Sequence, residues 1–154
     1  MPSNTDRIER SILIEAPVAR VWHALTDADT FGSWFGVRFD GATFAPGRRV
    51  VGSITYPGYE YLKFDVHVER MEPERLLSWR WHPAPLERGR DYSDEPATLV
   101  EFTLREVEGG TMLTVVESGF DQIPPERRQE AFRINSGGWD AQVNNIREHV
   151  AGVA

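Results

Sequence analysis

The chain has 154 residues, 40% of them hydrophobic and 27% charged, with 5 Trp, 8 Phe and 4 Tyr; this is one domain's worth, able to bury about 70% of its unfolded surface, and too apolar to stay disordered. Its 17 Lys and Arg face 24 Asp and Glu, a net charge of −7 that repels a phosphate backbone, so nucleic acid is not an expected partner. There is no cysteine, which excludes disulfides, thiolate chemistry and cysteine-bound zinc.

The opening Met1 to Asp6 is polar, with no basic segment leading into an apolar one, and no stretch approaches the ~18 apolar residues of a membrane span. A cytoplasmic protein without a membrane partner is expected. Ile8 to Ile14 reads as a β-strand, and Ala16-Pro17 places a proline where a helix starts. Val18, Val21, Trp22 and Leu25 recur at helical spacing. Thr26-x-x-Asp29 reads as the cap of a second short helix carrying Phe31, Trp34 and Phe35.

Beyond Gly36 the period becomes two. Leu62, Phe64, Val66 and Val68 alternate with Lys63, Asp65, His67 and Glu69; Leu77, Trp79 and Trp81 with Ser78, Arg80 and His82; Val100, Phe102 and Leu104 with Glu101, Thr103 and Arg105. Each is an antiparallel strand with one dry and one wet face. Met71 to Glu74 and Glu108 to Thr111 are turns, and Pro83 to Pro96 is a long surface loop whose Asp91 to Glu95 charges are expected in solvent. From Pro124-Pro125-Glu126 a helix runs to about Val150, roughly 39 Å at 1.5 Å per residue. Trp139, Val143, Ile146 and Val150 form its apolar stripe, with Phe132 and Asn135 on much the same side. Gly137-Gly138 costs about 1 kcal/mol per glycine there; a bend, a close backbone contact or simple tolerance would each account for it. The order is strand, two short helices, six strands and one long helix: an α+β chain treated as a single domain over residues 1–154.

These residues resemble a known family. Ile14-Glu15-Ala16-Pro17, Val21-Trp22, Ala24-Leu25-Thr26 and Trp34-Phe35 are similar to the opening of the Aha1-like branch of the START/Bet v 1 (SRPBCC) superfamily. Glu72 to Leu76 before Trp79, Gly110 to Phe120, and Gly138-Trp139 resemble its later signatures, in order along nearly the whole chain. The resemblance implies a helix-grip fold, a seven-stranded curved antiparallel sheet around the C-terminal helix with a cavity between them. It also implies one of several functions: a carrier of small hydrophobic molecules, a cyclase-like enzyme, or an Hsp90 co-chaperone-like interaction module.

Glu117 shares the strand phase of Leu113 and Val115, which turns its carboxylate toward the concave face. There it is either a ligand anchor or general acid or base, or a structural group bonded to the long helix or to water. Asn135 could orient a ligand or satisfy a backbone group. Trp34, Phe39, Ile54, Phe64, Trp79, Trp81, Phe102, Phe132 and Trp139 complete the candidate lining, residue types that serve a core equally well. The loop from Pro83 to Pro96 and the Phe35 to Pro46 region would gate such a cavity. His23, His67, His82 and His149 lack metal-ligand spacing, and no nucleotide-binding or nucleophile motif occurs, so neither a metal nor a cofactor is expected. The pairs Arg48-Arg49 and Arg127-Arg128 read as solvated surface.

Overall fold

A computed structural model describes residues 6–83 and 91–151. Strand β1 (Arg7–Ile14) leads through Pro17, whose φ of −61° suits a helix entry, into α1 (Val18–Thr26). The cap of α2 (Ala28–Phe35) is Asp27, not Thr26: its carboxylate accepts from the Thr30 backbone N–H at 3.1 Å and the Thr30 hydroxyl at 2.7 Å. Those hydrogen bonds, side-chain first, hold the Asp27 carboxyl below its ordinary value. Thr26 instead turns its hydroxyl back to the Trp22 carbonyl and closes α1. Gly36 ends α2 at φ +94°, a backbone conformation that only glycine adopts cheaply.

Strands β2 (Val37–Arg38), β3 (Arg49–Ile54), β4 (Lys63–Glu72), β5 (Leu76–Trp81), β6 (Thr98–Val107) and β7 (Gly110–Ser118) follow. All seven form one antiparallel sheet in the order β1-β7-β6-β5-β4-β3-β2, so the first strand lies beside the last. A bulge between Val68 and Arg70 shifts the β4–β5 register and adds to the sheet's curvature. A short 3-10 turn (Phe120–Gln122) precedes α3 (Pro125–Ala151). Among the described residues no helix is long and apolar enough to cross a membrane.

The alternation seen in the sequence sorts the two faces. Phe64, Val66, Val68, Leu77, Trp79, Val100, Phe102, Leu113 and Val115 are buried on the concave side, under the three helices. Ser78 departs from the pattern: on the outward face, it is nevertheless only 1% exposed. α3 buries Trp139, Val143, Ile146 and Val150 and runs nearest to β1 and α2, with Arg10 of β1 donating to Asp140 at 2.6 Å. Gly137 and Gly138 lie within an unbroken helix, exposed, and a Cβ at either would meet nothing within 4 Å, so no close contact requires them.

Candidate functional site

Between the concave face and α3 the interior is aromatic. Phe64 contacts the rings of Phe31, Phe35, Phe39, Trp79 and Trp81, with centroids 5.4–6.1 Å apart. Trp79 lies against Phe102 at 5.1 Å, and Trp139 of α3 reaches Trp81 at 6.0 Å and Phe102 at 5.7 Å. Most of these pairs are tilted or edge-to-face, the arrangement that ring quadrupoles favour. Gly52 of β3 makes this packing possible, since a Cβ there would come within 2.8 Å of the Phe39 ring.

One charged group sits inside this lining. Glu117 is 0% exposed, and its phase on β7, opposite Val100 of β6 and Ile8 of β1, points it inward. Its Oε1 accepts from Trp139 Nε1 at 2.8 Å and Asn135 Nδ2 at 2.8 Å. Its Oε2 accepts from Trp81 Nε1 at 2.8 Å, the Thr98 hydroxyl at 2.5 Å and Asn135 Nδ2 at 3.1 Å. Indole and amide N–H groups can only donate, so the cage is built around an acceptor. It is also wholly neutral: no Lys or Arg is among the hydrogen-bond partners of Glu117 within the described residues. Two of the donors come from α3, one from β5 and one from β6, so a single carboxylate ties the helix to the sheet. Five contacts on two oxygens fill the roughly four lone-pair directions a carboxylate offers.

The structure thus brings Trp79, Trp81, Phe102, Glu117, Asn135 and Trp139 together, with Phe64 and Phe39 continuing the ring array. Phe39, Ile54, Trp81 and Asn135 are only partly buried. Trp34 is apart from Glu117: its indole donates to the Ala24 carbonyl at 2.8 Å and ties α2 to α1. Phe132 meets Phe120 at 5.3 Å in a separate pair beside the 3-10 turn. Thr98, Phe31 and Phe35 were absent from the expected set. Thr98 was visible in principle, as it continues the inward phase of Val100 and Phe102 by one step and lies opposite Trp81.

Two surface expectations are corrected nearby. Arg127 is not solvated: it binds Glu95 through Nε at 2.9 and 3.0 Å and through Nη2 at 2.8 Å, with the two side chains only 12% and 8% exposed. The same guanidinium donates to the Pro83 carbonyl at 2.8 Å and lies 4.7 Å over the Tyr92 ring. Glu95 therefore also leaves the expected solvated group, and residues 91–96 are fastened to the first turn of α3. Asp91, by contrast, is exposed, its carboxyl held below the ordinary value by the Ser93 N–H. The middle of the expected gating loop, 84–90, lies outside the described residues.

Comparison with known proteins agrees with this architecture. Protein MLL2253 from Mesorhizobium loti superposes with a TM-score of 0.73 at 23% identity, covering 96% of this chain and 98% of that one. NE0264 from Nitrosomonas europaea superposes at 0.74 and 16% identity over the full length of both. DynU16, a protein of the dynemicin biosynthetic locus, is 25% identical with a TM-score of 0.72; the match covers 97% of this chain but 48% of DynU16, so this chain spans about half of it. No curated protein matches the sequence. Residues 15–151 match the family described as Activator of Hsp90 ATPase homolog 1-like protein, and the chain belongs to that Aha1-like family of the SRPBCC superfamily.

Proposed function

We propose that this protein binds a small aromatic or apolar molecule between the concave face of the sheet and α3, with the Glu117 cage as the polar end of the site. The observation that carries this reading is the buried carboxylate itself. A carboxylate in an aromatic interior is costly unless fully hydrogen-bonded, and here four side chains from α3, β5 and β6 converge to satisfy it. Ligand sites combine such apolar walls with a few fixed polar groups. Trp81 and Asn135 are partly exposed, so a guest could exchange its own hydroxyl or N–H for one of theirs on Glu117.

Non-enzymatic binding is favoured over acid or base catalysis by the same geometry, because both Glu117 oxygens are already engaged. Titrating 2-naphthol and other flat hydroxylated aromatics against tryptophan emission and melting temperature tests the proposal. Saturable quenching with a rise in melting temperature is expected, since a ligand of the native state must stabilise it. Unchanged emission and melting across the panel at high micromolar concentration would overturn it.

A further inference from the structure

The opposite face of the same sheet carries a hollow of about 500 Å³ near the β4–β5 turn. Strand alternation separates it from the interior: Leu76, Thr103 and Met112 point outward where Leu77, Phe102 and Leu113 point inward. Register draws its walls together. Glu72 lies opposite Leu76, Leu76 opposite Thr103, and Thr103 opposite Thr114, while Arg105 pairs with Met112. The bulge in β4 brings Arg70 into this outward row, and the Leu104 N–H donates to the Arg75 carbonyl at 2.9 Å, holding the turn against β6.

Three guanidiniums, those of Arg70, Arg75 and Arg105, line this hollow, and Glu72 is the only carboxylate among its lining residues. Glu72 pairs with both Arg70 and Arg75, the latter at 3.8 Å. Arg105 is exposed and has no ion pair among the described residues. Two positive charges are therefore left over, on a chain whose net charge is −7. The neighbouring acids Glu74 and Glu101 do not line the hollow. Beneath the arginines lie Leu76, 9% exposed despite its outward position, and the half-buried Met112, with the Thr103 and Thr114 hydroxyls beside them.

We propose that this outer hollow binds a small organic oxyanion, a carboxylate or phosphate monoester bearing an apolar body. Arg75 and Arg105 grip the anionic head, and Leu76 with Met112 supports the apolar part. Planar guanidinium forks match the oxygens of either head group. The chain's overall negative field weakens attraction for anions at long range, so the apolar contact is required as well.

Calorimetric titration with phenyl phosphate and with benzoate tests this, with inorganic phosphate and benzyl alcohol as controls. At least one of the two aromatic anions binds at millimolar concentration or below, and the stronger of them identifies the head group. Binding falls by about tenfold or more in Arg75→Gln/Arg105→Gln and weakens with added salt. Arg105→Gln alone, which breaks no ion pair within the described residues, shows part of the same loss and covers the case in which the double variant misfolds. The proposal is overturned if neither aromatic anion binds, if a control binds as tightly, or if folded arginine variants bind as the parent does.

Discussion

Replacing Glu117 in two ways separates a designed donor cage from incidental burial. In Glu117→Gln an oxygen remains for Trp139 and Asn135, while the new amide N–H₂ takes the place of Oε2. The Thr98 hydroxyl can reverse and accept from it, and the Trp81 indole loses its acceptor but is partly exposed and can meet water. The loss is then about 1–2 kcal/mol, one charge-assisted hydrogen bond partly replaced. In Glu117→Leu the donors of Trp139, 3% exposed, and Thr98, 0% exposed, have neither the carboxylate nor water to bond. Each unsatisfied buried donor costs about 1–3 kcal/mol, so the leucine variant is expected to lose about 2–6 kcal/mol despite its better apolar packing. Urea unfolding followed by far-ultraviolet circular dichroism measures both, and about 2–4 °C of melting temperature per kcal/mol gives a second readout. A leucine variant as stable as the glutamine variant, or more so, would refute the reasoning, because the carboxylate would then be a net burden that the cage does not offset.

Gly137→Ala and Gly138→Ala should each raise stability by about 1 kcal/mol, since both positions are helical, exposed and free of any Cβ clash, and thermal melts would show it. Arg127→Met removes a charged hydrogen-bond donor from the Glu95 carboxylate, itself only 8% exposed, and a loss of about 2 kcal/mol is expected in urea unfolding. Asp65 accepts from Arg49 at 2.8 and 2.6 Å, and these hydrogen bonds hold its carboxyl below the ordinary 3.8. A carboxyl lowered in the folded state stabilises above its unfolded value and ceases to do so as pH falls through the folded one. Asp65→Asn should therefore flatten the decline of melting temperature below about pH 4 while changing neutral stability by no more than about 0.5 kcal/mol, because the pair is largely exposed.

The architecture was readable because both of its periods are strong. Phe64-x-Val66-x-Val68 and Val100-x-Phe102-x-Leu104 have one buried face each, and Trp139, Val143, Ile146 and Val150 mark the face of α3 that meets the sheet. The inward turn of Glu117 followed from the same parity. Its partners did not, because period two assigns a face and says nothing about which donors from α3, β5 and β6 converge there. Asp27 caps α2 although Thr26, one residue earlier, also carries an oxygen acceptor; the choice rests on backbone angles at the corner. Arg127 and Glu95 looked like surface charge because nothing local announces a pairing across 32 positions. Phe132 lies on the expected side of α3, but its neighbour is set by the 3-10 turn, which carries no clear apolar period.

The seating of β1 against β7 has a consequence for assembly. The hydroxyls of Ser11 and Thr114 meet across this seam from positions 103 apart in the chain. During synthesis β1 must wait until β7, with Thr114 103 positions after Ser11, has been made before its partner exists. Meanwhile Ile8, Ile12 and Ile14 have no strand to pair with, and closing so long a loop makes a slow final step. The growing chain is most open to wrong pairing in that interval, while the edge of β1 has no neighbour.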